Sequence, residues 1–324
     1  MLAGVTSIAI IGTGAVGGYY GGLLARAGHD VRFLMRRDLE VVRERGLDIR
    51  SPGGDFVLSR PAVFAAAEDI GAVDWVICSL KATALSEARA LVSPCVGPQT
   101  RILVLMNGLG IEEQFGEWFG RSRVFGGMAF VCINRGEPGV IHHLDYGRVS
   151  IGHLEDDAAH LRELQLLLES GGIEVASSPN LRYARWEKLC WNIPFNGLSV
   201  AGGGIGTRLI VEDEVLRQTA EQAMREVVSV ANADLAALGS RSRLDVDEVV
   251  RWMFFQTDSM GDYRTSMALD YVAGRPLEVE AILGEAWRRA KQLGVPAPTL
   301  AALYSLVRVA DLRRRELIQS IPTE

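Results

Sequence analysis

Lys188, Asn192 and Asn196 recur at four-residue spacing within residues 185–196, which read Arg-Trp-Glu-Lys-Leu-Cys-Trp-Asn-Ile-Pro-Phe-Asn. On a helix these three stack on one face, while Leu189, Ile193 and Phe195 lie off it. One cation and two amides then line a wall. An ammonium in such a place gains most when negative charge develops on a neighbouring oxygen, and amides orient polar groups around it. A solvated stripe would carry Glu, Lys and Arg, yet no charged residue occurs between Lys188 and Arg208. The pattern therefore predicts a lined pocket, because buried polar groups need partners. Pro194 removes a backbone donor and crowds the carbonyl of Cys190, which predicts a bend within the stripe that turns the amides inward.

The elements that must present a reaction partner to this wall lie in the first half of the chain. Residues 7–11, Ser-Ile-Ala-Ile-Ile, form an apolar run too short for a helix. They end directly in Gly12-Thr13-Gly14-Ala15-Val16-Gly17. A strand feeding this turn predicts dinucleotide binding: Gly12 permits the tight turn, Gly14 lets a pyrophosphate approach the backbone, and Gly17 brings the next helix close to the sheet. The phosphates would rest on that helix's N-terminus. A second strand, 30–35, ends at Arg36-Arg37, where an NAD site would place an acid. A guanidinium at Arg36 fits a 2′-phosphate, so NADP(H) is the predicted cofactor.

A helix at 39–45 and a surface hairpin at 46–58, flanking Pro-Gly-Gly and read as decoration, follow. Buried strands at 75–80 and 101–106 place Lys81 and Asn107 just past their C-terminal ends, the edge at which ligands of parallel sheets lie. Strands at 124–133, 140–143 and 149–153, a helix at 158–170 and a strand at 173–176 complete an α/β domain spanning residues 1–178. Adjacent His142 and His143 face opposite sides of a strand, and no third ligand is spaced to help them, so no metal site is expected.

Beyond residue 178 strand signals vanish. Helical periodicity with glycine stops predicts helices at 214–238, 246–258, 264–273, 277–293 and 300–315. The expected architecture is α/β: an N-terminal Rossmann-type doubly wound sheet followed by an all-α domain, 179–324, carrying the substrate and catalytic groups. Gly274 and Pro276 bracket a helix junction that leaves Glu278 in a first turn, where the helix dipole favours an anion. Trp252, Phe254 and Phe255 are expected in the second core, with closure over the cleft as the alternative.

Charge and composition narrow the partners. A net charge of −6 gives no general attraction for nucleic acid or anionic membrane. Four dispersed cysteines form no CxxC pair, which predicts reduced thiols in a cytoplasmic protein. The uncharged stretches 1–25 and 189–207 are broken by glycine, asparagine and proline, and neither reads as a signal peptide or membrane span. An exposed apolar helical face could support a homodimer.

Taken together, the glycine turn, Leu80-Lys81-Ala82, Asn107-Gly108-Leu109-Gly110, the Lys188/Asn192/Asn196 stripe and Ser266-Met267 through Glu278 resemble the ketopantoate (2-dehydropantoate) reductases over residues 8–298. The resemblance implies NADPH-dependent reduction of ketopantoate to pantoate, within pantothenate and coenzyme A biosynthesis. Lys188 would be the catalytic acid, and Glu278 would organise the site beside the nicotinamide ribose. Asn107, Asn192, Asn196 and Ser266 would bind substrate. Gly12 to Gly17, Arg36, Lys81, Asn107, Cys132 and Glu278 would meet the cofactor. Gly206 stands where some members offer a substrate-binding asparagine, which leaves room for a different 2-oxo acid or an imine; a non-catalytic NADP(H)-binding regulator is the rival reading.

Overall fold

The short β-branched runs of the first half pair side by side because neither face of such a run can be left in water. The computed structural model describes residues 4–319. Its chain divides into two compact units, residues Met1–Met106 with Ile111–Leu181, and Asn107–Gly110 with Arg182–Glu324.

The first unit holds β1 (Ser7–Ile11), β2 (Asp30–Leu34), β3 (Leu47–Arg50), β4 (Phe56–Leu58), β5 (Ala62–Phe64), β6 (Val73–Cys78), β7 (Val96–Val104), β8 (Val124–Arg135), β9 (Val140–His153) and β10 (Val175–Ser177). Nine of them run β4-β3-β9-β8-β7-β6-β1-β2-β5 across one sheet, and β10 pairs with β9. β1 lies parallel between β2 and β6, so chain order reverses there and a crevice opens at the C-terminal ends of β1 and β6. Helices α1 (Ala15–Arg26), α2 (Leu39–Arg45), α3 (Leu85–Val92), α4 (Ile111–Phe119) and α5 (Ala158–Ser170) complete this Rossmann-type unit.

One expectation needs correction here. The hairpin of β3 and β4 exists, with Leu47 opposite Leu58, but it is no decoration. β3 also runs parallel to β9, Asp48 opposite Val140, and buries Leu47 and Ile49 in the core. Ile49 packs on α1 so closely that a Cβ at Gly22 would strike its Cδ1. The segments 140–143 and 149–153 are likewise one continuous strand, β9, antiparallel to β8.

In the second unit the described residues form α6 (Leu181–Ala201), α7 (Thr207–Glu212), α8 (Glu214–Ala237), α9 (Val246–Asp258), α10 (Ser266–Val272), a π-helical turn (Glu280–Gly284), α11 (Glu285–Gln292) and α12 (Pro298–Gln319), without a strand among them. α6 runs through Pro194 without ending. It is fixed on two sides: Trp186 Nε1 donates to Asp234 Oδ2 on α8 at 2.8 Å, and Trp191 Nε1 donates to Thr257 Oγ1 on α9 at 3.0 Å. Arg289 on α11 donates to the other Asp234 oxygen at 2.8 Å, so one buried carboxylate ties three helices together.

Two further expectations change. The helix predicted at 277–293 opens with a π turn that runs straight into α11, and within that turn the Ala281 carbonyl accepts the Leu109 N–H at 3.1 Å. Of the three aromatic residues expected in the core, only Phe254 is buried. Trp252 and Phe255 are 49% and 70% exposed and stack on one another at 5.8 Å.

Candidate functional site

The candidate residues fall into two groups, one in each unit. At the end of β1 the chain turns at Gly12 with φ +95°, where a Cβ would lie 2.7 Å from the Leu80 amide nitrogen. Only glycine fits. Ser79 Oγ donates to the Gly12 carbonyl at 2.8 Å, which binds the turn to the end of β6. A Cβ on Gly17 would run into that same Ser79 Oγ and lie 2.6 Å from the Gly12 carbonyl oxygen; its absence lets α1 press against the sheet. Thr13 Oγ1 donates to the Leu34 carbonyl at 2.8 Å and pins the turn to the end of β2.

Gly14 differs from its neighbours. It has φ −85°, which any residue adopts, and a Cβ there would meet nothing nearer than a single atom at 4.0 Å. The space is open, and α1 begins with no side-chain cap and no acidic residue in its first turn. Uncapped N–H groups facing open space suit an anion, and the diphosphate of a dinucleotide fits this cradle. Ala15 and Val16, the first residues of α1, are only partly buried. Past β2, the Arg36 side chain is 75% exposed with Glu87 3.8 Å away, a loose surface pair that leaves the guanidinium available. Lys81 lies exposed beyond β6, and Cys132 is buried on β8.

In the second unit, Asn107, Gly108, Arg185, Lys188, Leu189 and Asn192 line a pocket of about 160 Å³ including its open mouth. Most of that space belongs to the mouth: the lining side chains close on one another, so a ligand enters only where they part. The helix spacing brings Arg185, Lys188 and Asn192 to one face of α6. The Asn107 segment is held from the other side: Gly108, at φ +116°, approaches Ala281 so closely that a Cβ would lie 2.8 Å from its carbonyl oxygen. Asn107 Nδ2 donates to Glu278 Oε2 at 3.3 Å, and Glu278 is itself buried.

Lys188 keeps some contact with solvent at the pocket, yet its ammonium is hemmed in by protein. Burial lowers its pKa from 10.5 to about 7, the Arg185 charge adds to the lowering, and the Glu278 carboxylate opposes both. An amine that gains and loses its proton near neutrality is suited to proton transfer at that pH. Arg185 is 3% exposed. It is the pocket residue that the four-residue stripe missed, although it lies three residues before Lys188 on the same face.

Asn196 continues the stripe one turn further. It is 1% exposed and its Oδ1 has no hydrogen-bond partner among the described residues, like Ser199 Oγ three residues further on. Ser266 stands apart from this group: it is exposed at the first residue of α10 and does not line the pocket. At Gly206 a side chain would collide with Asp262 Oδ1, so a carboxylate occupies the room that an asparagine would need. Among the described residues no group of three metal-ligating side chains gathers.

Comparison with known proteins bears on both groups. The family model described as "Ketopantoate reductase PanE/ApbA" matches residues 8–156, and its C-terminal companion, "Ketopantoate reductase PanE/ApbA C terminal", matches residues 180–311. A 2-dehydropantoate 2-reductase of Nostoc sp. is 37% identical over 313 residues, covering 95% of this chain and 96% of that protein. Among solved structures, the 2-dehydropantoate 2-reductase of Geobacter metallireducens superposes with a TM-score of 0.90 at 41% identity, covering 94% of this chain and 99% of the other. That of Methylococcus capsulatus gives 0.84 at 34% identity, covering 95% and 97%.

Proposed function

This chain belongs to the ketopantoate reductase family, and on that premise we propose that it reduces 2-dehydropantoate to pantoate with NADPH, in the route to pantothenate and coenzyme A. The observation that carries the reading is Lys188: an amine hemmed in by protein, with a pKa brought to about 7, lining one site with Asn107 and Asn192. When bound, the reduced nicotinamide supplies a hydride from C4 to the ketone carbon.

The chain's own residues do the rest. Lys188 in its ammonium form donates a hydrogen bond to the ketone oxygen, stabilises the negative charge that grows there, and passes its proton to that oxygen as the alcohol forms. It leaves the step as a neutral amine, a form that burial favours. Glu278 holds the charged form in readiness and fixes Asn107 through their hydrogen bond. Asn107, Asn192, Asn196 and Ser266 orient the substrate's polar groups, Ser266 requiring a movement of α10's first turn to do so.

The cradle of Gly12, Thr13, Gly14, Ala15, Val16 and Gly17 would hold the diphosphate, with Lys81 and Cys132 as further cofactor contacts. The exposed Arg36, at the end of β2 and without an acid in the ribose position, supports NADPH over NADH. We divide the work accordingly, nucleotide to residues 1–178 and substrate to 179–324, and place the protein in the cytoplasm. Among the described residues no helix is long and apolar enough to cross a membrane.

A second reading, reduction of a different 2-oxo acid, is favoured by Gly206. The Asp262 carboxylate stands where an asparagine would enter, which alters the polar groups available to a distal hydroxyl. NADPH and NADH oxidation measured in parallel against 2-dehydropantoate, 2-oxoisovalerate and pyruvate decides between them. Fastest turnover on 2-dehydropantoate with NADPH supports the first reading. Preference for another acid supports the second, and cofactor binding without turnover on any of them overturns both.

A further inference from the structure

Asp38 stands at the N-cap of α2, immediately before Leu39, yet its carboxylate takes no bond from the N–H groups of that helix. An aspartate in this place ordinarily accepts one. Here Oδ2 is occupied from elsewhere in the first unit: Arg135 Nη2, at the end of β8, donates to it, and so does the Gly139 N–H, just before β9, at 3.4 Å. Oδ1 is buried without a hydrogen-bond partner among the described residues. The tip of the β8–β9 hairpin is itself fixed, since the Asp48 N–H donates to the Gly139 carbonyl at 2.9 Å and a Cβ on Gly139 would lie 3.4 Å from Val41. The side chains of Arg135 and Asp38 are 37% and 15% exposed, so water and salt screen their attraction less than that of an open surface pair.

We propose that Arg135 is a specificity-determining residue for the cofactor: by holding and neutralising Asp38, it keeps the end of β2 selective for an adenosine ribose that carries a 2′-phosphate. The inference rests on the dinucleotide reading of the glycine cradle with the 2′-phosphate at Arg36. Arg36 and Arg37, both exposed, lie between two tethers of the loop after β2, the Met35 N–H on the Phe64 carbonyl at 2.9 Å and Asp38 on Arg135. A phosphate monoester carries about −1.5 to −2 charges near neutral pH. With Asp38 cancelled by Arg135, the two guanidinia meet that charge, opposed only by the loose contact of Glu87 with Arg36. Without Arg135, a carboxylate two residues from Arg36 repels the phosphate. Its oxygens also become acceptors for the free 2′-hydroxyl of an unphosphorylated ribose, the service an acid performs in NAD sites. Arg135 therefore acts on the cofactor through Asp38, as a positioning residue.

The test is binding of NADPH and NADH, measured by calorimetry on the full chain at about 50 and 300 mM salt. It compares wild type, Arg135→Gln, Arg135→Lys, Asp38→Asn and the Arg135→Gln/Asp38→Asn double variant, with thermal unfolding of each to confirm the fold. Wild type should prefer NADPH. Arg135→Gln should bind NADPH on the order of 10-fold more weakly at low salt, the loss shrinking as salt rises, while NADH binds as in wild type or tighter. Arg135→Lys keeps the charge and should keep most of the preference. Asp38→Asn should retain NADPH affinity, and adding it to Arg135→Gln should restore what that variant lost, because the acid that Arg135 offsets is gone. A tie that merely held the loop would behave in the opposite way, with the double variant binding both nucleotides worse.

Unchanged NADPH affinity in Arg135→Gln, or equal losses of NADPH and NADH that Asp38→Asn does not restore, overturns the inference and leaves the pair a tie between loop and hairpin. The wild-type protein reads the underlying assignment separately. If it binds NADH as tightly as NADPH, the 2′-phosphate reading of Arg36 falls and takes the inference with it; if it prefers NADPH, the variants alone decide.

Discussion

Asn107 donates a hydrogen bond to Glu278 across 171 positions of sequence, at 3.3 Å. The contact is prepared by backbone: Leu109 N–H reaches the Ala281 carbonyl, Gly108 gives way to the Ala281 side chain, and the helix opens into a π turn at that point. Asn107 is in this way fixed to the carboxylate that supports the Lys188 charge. Replacing Asn107 by Ala removes a bond to a charged group and should lower kcat/KM by roughly 10–100-fold. Steady-state kinetics check this, with circular dichroism to confirm that the fold is kept.

The pH dependence follows from Lys188. With its pKa lowered to about 7, the proton-donating form is complete below neutrality and declines above it, so log kcat/KM should be flat in mild acid and fall with unit slope at higher pH. Glu278→Gln removes a charge that favours the ammonium and should shift this limb to lower pH. Rate profiles of the two proteins under the same buffer series read the shift directly.

The same group leaves a mark on stability. The unfolded chain binds a proton at Lys188 up to its ordinary pKa of 10.5, while the folded chain releases it near 7. Stability from this group therefore rises as pH increases from about 7 to 10.5, and its full cost is present below that window. Lys188→Met should be more stable than wild type at pH 7, by on the order of a few kcal/mol at most, with the advantage fading toward pH 10.5. Urea denaturation at several pH values measures it.

Gly14 and Gly17 should separate cofactor binding from folding. Gly14→Ala places its methyl in open space and should unfold at the wild-type temperature while losing most of its NADPH affinity. Gly17→Ala forces a methyl against the Gly12 carbonyl oxygen and Ser79, which should cost about 1–3 kcal/mol in stability. Thermal unfolding and fluorescence titration with NADPH distinguish the two outcomes.

How far the sequence could be read depended on the range of the forces involved. The glycine turn, its flanking strand and α1 are local features, and the four-residue stripe of α6 is set by helix geometry alone, so each was legible. The π turn was not: the Leu109 N–H that meets the Ala281 carbonyl within it lies far away in sequence. β3 read as one arm of a free hairpin since its second partner, β9, follows much later in the chain and leaves no trace in the alternation of residues 47–50. Arg185, two residues before Glu187 in the first turns of a helix, carries no local sign of burial; its surroundings include the Asn107 and Gly108 segment, far from it in sequence. Trp252 and Phe255 look like core by composition, whereas the helix phase that buries Phe254 turns both outward.

In the proposed reaction the Lys188 amine donates the proton to the carbonyl oxygen. This step is tested most directly by Lys188→Ala assayed with NADPH and 2-dehydropantoate, alongside a fluorescence measurement of NADPH binding. Turnover should fall by about 10²–10⁴-fold in kcat with the NADPH dissociation constant little changed. A variant that turns over at close to the wild-type rate would contradict it.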